Sequence, residues 1–164
     1  MARLIALDVG EARIGVAVSD TSGFLASPYT TLHVTRDEAR TWNAIQHLID
    51  ETEAEGLVIG LPISLDGEIH SQGERVQAFV RRLKEHITIP LTFWDERLST
   101  VEAQRLLGER EEIEPGKRLK MAGGKKRDRA KRRRRRQEVD ALAAAVILQE
   151  YLDQHMYKTR DTGI

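Results

Sequence analysis

The sequence predicts an α/β fold: a mixed five-stranded sheet, made of a three-strand meander followed by βαβ crossovers, flanked by helices. Three observations carry that expectation. Residues 1–34 hold three short apolar segments separated by turn residues, with no helical spacing among them. Past Thr35 the apolar residues recur at three- and four-residue intervals, so the period changes from strand to helix. From there short apolar runs alternate with amphipathic stretches, the pattern of parallel strands joined by helical crossovers.

Taken in order, Arg3–Asp8 is apolar up to a terminal acid and reads as a buried strand. Gly10 supplies a turn, and Ile14–Ser19 alternates well enough to return beside it as a hairpin. Phe24–Val34, interrupted at Ser27-Pro28, is the third strand, bulged or at a sheet edge because proline donates no ladder hydrogen bond. Thr35-Arg-Asp-Glu38 has capping-box spacing and opens a helix on which Trp42, Ile45 and Ile49 share a face; Gly56 ends it. Leu57–Ile59 is a short buried strand leading into Gly60-Leu61-Pro62, read as the rim of a site. A polar loop with Asp66-Gly67 precedes a helix over Ser71–His86, whose stripe is Val76, Phe79, Val80 and Leu83.

Ile89–Trp94 is the last strand and delivers Asp95-Glu96-Arg97. Ser99-Thr-Val-Glu102 is a second capping box, opening a helix that reaches Leu107. Residues 108–137 show no apolar periodicity, only Gly, Pro and charge, and read as a basic flexible loop. Val139–His155 is a final helix with Leu142, Ala143, Val146 and Tyr151 toward the core, and residues 158–164 form a tail. A single domain over residues 1–157 accommodates these elements, and a chain of 164 residues can bury a core. No internal repeat is visible.

Composition narrows the function classes. The chain has no cysteine, which removes disulfides, thiolate metal sites and cysteine nucleophiles and suits a reducing cytoplasm. The apolar start, Leu4–Leu7, lacks the layout of a signal peptide, and no apolar run approaches the roughly 20 residues of a membrane span, so a cytoplasmic protein with no membrane partner is expected. The net charge is zero but segregated: residues 117–136 contain 13 of the 26 Lys/Arg and one of the 26 acids, Asp128. Such a strip is either a solvated face or a contact for a polyanion.

The acids carry the chemistry. Asp8 ends the first strand, Asp95 and Glu96 follow the last, and Asp140 falls in the first turn of the expected C-terminal helix. Ligands of open α/β sheets bind beyond the carboxyl ends of the strands. Asp8 and Glu96 meet there if their strands are neighbours, and Asp140 joins them if the last helix starts at that edge. Three gathered carboxylates repel unless a cation lies between them, and hard oxygen donors suit Mg²⁺ or Mn²⁺, as one or two ions. Such sites hydrolyse phosphodiesters. Singly, each acid has a plainer explanation: Asp8 as a turn cap, Asp140 as a helix N-terminal acid, Glu96 in a surface pair with Arg97 or Arg13. Together, at three element ends, they point to a metal centre.

Other residues are placed around it. Arg13 and Arg97 are candidates for contact with the scissile phosphate, and Arg132, Arg133 and Arg134 for binding the polyanion without reading its sequence, since no aromatic residue interrupts the tract. Gly10 and Gly15 either shape a turn or admit a close backbone. Asp20, Asp66 and Asp95 are possible fourth ligands but read more simply as turn acids. Ser99 and Thr100 read as helix caps. The histidines 33, 47, 70, 86 and 155 show no ligand spacing and read as surface residues, with only His70 in a loop bordering the site.

Four strings then resemble the YqgF/RuvX family: Leu7-Asp8-Val-Gly-Glu-Ala-Arg13-Ile-Gly15, Val58-Ile-Gly60-Leu61-Pro62, Trp94-Asp95-Glu96-Arg97-Leu98-Ser99-Thr100, and Val139-Asp140-Ala-Leu-Ala143-Ala144. They occur in family order and span nearly the whole chain. The resemblance implies an RNase H-like fold related to the RuvC resolvases. It also implies a nuclease with its acids at Asp8, Glu96 and Asp140. The activity implied is 5′-end processing of pre-16S ribosomal RNA or resolution of Holliday junctions. The segment ahead of the last helix is longer and more basic here than is common in the family.

The expected partner is therefore nucleic acid, structured RNA before a DNA junction, bound by a monomer or a homodimer. A junction resolvase needs paired active sites and hence a dimer. A non-catalytic nucleic-acid-binding or transcription-associated factor is the alternative of another class. An actin-like kinase shares the Asp-x-Gly opening but needs two such domains, more than 164 residues supply.

Overall fold

The computed structural model describes residues 3–63, 66–95 and 125–161. Strands β1 (Leu4–Val9), β2 (Arg13–Ser19) and β3 (Ala26–His33) form the meander; α1 (Glu38–Thr52), β4 (Gly56–Leu61), α2 (Ser71–Leu83) and β5 (Leu91–Asp95) form the crossovers; α3 (Lys125–Asp161) closes the chain. The sheet order is β3-β2-β1-β4-β5, antiparallel through the meander and parallel from β1 to β4 to β5. This is the mixed five-stranded sheet the sequence predicts. The register of β2 against β3 shifts between Val16 and Ala17, opposite Pro28, so the proline sits on an edge strand beside a bulge.

Strand alternation divides the core in two. On one side Ile5, Leu7, Ile14, Val16, Leu57 and Ile59 pack against Trp42, Ile45 and Ile49 of α1 and Val76, Phe79 and Leu83 of α2. On the other, Ala6, Ala17 and Val58 meet Ala144, Ala145, Ile147, Leu148 and Leu152 of α3. Every residue of β4 is buried because helices cover both its faces, which explains why it is apolar without alternation. Burying a side chain such as Leu148 stabilises the fold by roughly 1.5–3 kcal/mol.

Several expectations need correction. The cap of α1 is Asp37, whose carboxylate accepts from the Ala39 amide at 3.1 Å, while the Thr35 hydroxyl donates to the Asp37 carbonyl. That helix ends on Glu53 in the left-handed region, φ 56°, and Gly56 instead opens β4. The largest correction concerns the basic segment. Residues 125–137, expected in the flexible loop, are helical, so Asp140 lies deep inside α3 rather than in its first turn. Residues 158–161 of the expected tail are helical too. After Gly124 the chain has neither Gly nor Pro up to Asp161, and Arg and Lys are good helix formers. A solvated helix needs no apolar stripe once an adjoining part is anchored. The stripe of α3 is also rotated from the expected one: Ala141, Ala144, Ala145, Ile147, Leu148 and Leu152 are buried, while Leu142, Ala143, Val146 and Tyr151 are half-buried at the flanks. The small alanines let the helix lie close on the sheet. The second capping box, its helix to Leu107, and Glu96 and Arg97 lie outside the described residues.

Candidate nucleic-acid and metal site

Alternation along β1 puts Asp8 on the same side as Ala6, facing α3. Its register partner on β2 is Gly15, whose own partner on β3 is Thr31. A Cβ on Gly15 would stand 1.9 Å from the carbonyl oxygen of Asp140, closer than any real contact. The helix therefore rests on the glycine, and the backbone of Asp140 is seated beside the partner of Asp8. Of the two roles open to the glycines, Gly15 has the close approach and Gly10 the turn, its amide donating to the Arg13 carbonyl at 2.9 Å. On the other side of Asp8, Gly60 of β4 stands in register with Trp94 of β5 and brings no side chain into the space under α3.

Two contacts fix how α3 lies across this row. The Thr31 hydroxyl donates to the Gln137 carbonyl at 2.6 Å, and the Gln137 amide meets His33 at 2.9 Å. Beside them, the Arg13 Nε donates to the Asp140 carboxylate at 2.6 Å, a half-buried charge-assisted bond. Arg13 thus orients one of the predicted acids. His33 is exposed, as its surface reading expects, yet it also meets Gln137 in the helix seat; its register partner is Arg13, a pairing that no local spacing reveals.

Arg13, His33 and Ala12 form one wall of a cleft of about 410 Å³, and Arg129, Arg132, Arg133 and Arg136 form the other. Two of the three tract arginines predicted to bind substrate, Arg132 and Arg133, lie there with Arg13. Arg134 does not: it borders a separate cleft with Pro28–Thr31, Gln137 and Glu138. On the far side of the sheet a larger cleft of about 660 Å³ runs between α1 and α2, lined by Trp42, Val76 and Phe79. Two of its arginines are compensated, Arg75 by Glu11 and Arg82 by Glu38.

The seat on Gly15 brings the backbone of Asp140 beside the register partner of Asp8, and both side chains are hard oxygen donors of the kind a divalent cation takes. β4 separates β1 from β5, so the strands carrying Asp8 and leading to Glu96 are not neighbours as the simplest arrangement required. Among the described residues one trio has its donor atoms within 4.8 Å of one another: Asp66, Glu68 and His70, all exposed. Its bonds are those of a turn. Asp66 accepts from the Glu68 amide at 2.9 Å and from His70 at 3.2 Å, and the amide bond holds its carboxyl below the usual range. Asp20 is a turn acid as well, lowered first by the Ser22 hydroxyl and then by the Leu25 amide.

A family model described as "RuvX: Holliday junction resolvase" matches residues 2–154. The chain belongs to the RuvX family. Among RuvX relatives, a protein of Thermoanaerobacter pseudethanolicus is 39% identical over 95% of this chain and 99% of its own length. One of Caldanaerobacter subterraneus subsp. tengcongensis is 38% identical over 92% and 96%. Both carry the name "Putative pre-16S rRNA nuclease". The RuvX chain also matches Thermus thermophilus RuvC in complex with Holliday junction substrate, with a TM-score of 0.52, 11% identity, and 95% and 96% of the two chains covered. That likeness shows the RNase H-like fold. The RuvX family, by its description as a Holliday junction resolvase and by the names of its relatives, is one of nucleases acting on nucleic acid. Among the described residues, no helix is long and apolar enough to cross a membrane.

Proposed function

We propose that this chain is a divalent-metal-dependent nuclease that hydrolyses phosphodiester bonds in the 5′-end processing of pre-16S ribosomal RNA in the cytoplasm. Asp8, Glu96 and Asp140 would be its metal-binding acids. The observation that carries the reading is the seat of Asp140 on Gly15, the register partner of Asp8. Asp8 on the sheet and the helix backbone at Asp140, remote in sequence, thus flank the same glycine, which supports the grouping of the two acids. Glu96 is the residue that follows the end of β5 in the sequence. The names of the RuvX relatives support the RNA substrate.

Mg²⁺ or Mn²⁺ held by these acids would supply an acidified water and charge neutralisation at the scissile phosphate. The chain's own residues do the positioning. The sheet holds Asp8, the helix seat and Arg13 hold Asp140, and Arg13 and Arg97 are the candidates for contact with the scissile phosphate. Cleavage of matched pre-16S 5′-leader RNA, single-stranded DNA and four-way junction DNA, with Mg²⁺ and with Mn²⁺, tests the assignment. Wild type should cut the RNA, and Asp8→Asn should lose at least about 10²-fold in rate. Equal cleavage by both proteins would refute the site. The family description favours one second reading, a junction resolvase; cleavage of the junction alone, by a dimer, would establish it.

A further inference from the structure

The basic tract is usually counted as charge, but a helix gives charge a direction. Positions 129, 132, 133 and 136 follow the spacing i, i+3, i+4, i+7 and so share one face. These four arginines are the ones that line the cleft with Arg13 and His33, whereas Lys131 and Arg135 lie on the opposite side and line none of the clefts described above. The rotation of the helix is set independently of charge, by Thr31 and His33 holding Gln137.

Among the described residues, no carboxylate lines this cleft. The one acid bonded to its arginines among the described contacts is Asp140, which takes Arg13. Five guanidinium groups therefore face a shared space with little compensation, in contrast to the cleft across the sheet, where Glu11 and Glu38 neutralise two of the arginines. Mutual repulsion of this kind is relieved by an anion. Guanidinium forks match phosphate oxygens in a bidentate fashion, and among the described residues no Phe, Tyr or Trp lines the cleft. The arginine row from 129 to 136 rises about 10 Å at 1.5 Å per residue, long enough to meet more than one phosphate of a strand.

We infer that Arg129, Arg132, Arg133, Arg136 and Arg13 form a phosphate track that leads one strand's backbone to the carboxylate centre, and that the tract's opposite face takes no part. The inference rests on the nuclease reading for its destination only. Because the recognised chemistry is phosphate, RNA and DNA strands both qualify.

Fluorescence-anisotropy titrations of the full chain over a range of KCl concentrations, with an RNA and a DNA oligonucleotide, test the track. Arg132→Gln/Arg136→Gln and Lys131→Gln/Arg135→Gln each remove two positive charges, and glutamine preserves helix propensity. The track variant should bind about 10-fold more weakly, with a salt slope shallower by about 1.4–1.8. The opposite-face variant should keep the wild-type slope. Arg132→Lys/Arg136→Lys should restore the slope while recovering only part of the affinity. Far-UV circular dichroism verifies that the helix persists, and the lysine variant decides the matter should the glutamine variant lose it. Equal losses in the two glutamine variants, or no loss in either, would overturn the track. The polymer with the larger asymmetry identifies the strand it serves. Failure of the nuclease reading shows elsewhere, as unchanged cleavage by Asp8→Asn, and leaves these slopes as they are.

Discussion

The two halves of α3 are one unbroken helix held by opposite means. From Ala141 to Leu152 it buries alanines, Ile147 and Leu148 against the sheet. From Asp128 to Arg136 every residue is exposed and almost every one is charged. The buried half would be helical in any chain that buried its stripe. The basic half has like charges four residues apart, which disfavour a helix on their own. It is helical because the other half supplies the nucleus and it has only to propagate. Asp140 sits at the junction. Its place on Gly15 comes from the anchored half, and the charge that draws a strand toward it comes from the exposed half.

That division can be broken from either end. The largest expected effect belongs to the anchored half. Leu148→Ala should cost about 2–5 kcal/mol in denaturant unfolding, because the side chain is fully buried. The salt slope of nucleic-acid binding measured below the unfolding transition should not change. A stability loss under about 1 kcal/mol would mean that α3 is held by something other than this core.

Next comes the junction. Gly15→Ala places a methyl where the Asp140 carbonyl stands, so helix or strand must move at a cost of about 1–3 kcal/mol. Cleavage should fall by more than the stability loss explains, since one acid is displaced from the other. A fully active, fully stable Gly15→Ala would sink the close-seat argument. The smallest effect on stability is expected at Arg13. Its bond to Asp140 is partly exposed, so Arg13→Gln should cost less than about 1 kcal/mol by thermal unfolding. Binding affinity should nonetheless drop, because the same residue lines the basic cleft.

Much of this site could be read from local pattern. Asp8 at the end of an apolar strand and the Asp-Glu-Arg-Leu-Ser-Thr string after the last strand stood out as soon as the strands did. The meander, the edge role of Pro28 and the crossovers also follow from alternation, turn residues and helical spacing. Arg132 and Arg133 were marked by charge alone, which could not separate them from Arg134. His33 carried no signal, because its importance lies in meeting Gln137, and that partner belongs to the far end of the chain. The basic half of α3 is illegible for a related reason: local pattern registers an apolar stripe, and this half has none.

The amino-acid order by itself determined most of the sequence of strands and helices and the apolar faces of α1 and α2, because those depend on neighbours two to four residues away. Tertiary structure alone decided that β4 lies between β1 and β5, that Gly15 is a seat for Asp140, and that Arg13 reaches that acid across 127 residues of chain. It also decided which arginines of the tract share the face of Arg13. These facts arise where two distant segments exclude or attract each other, and neither segment alone encodes the other's position.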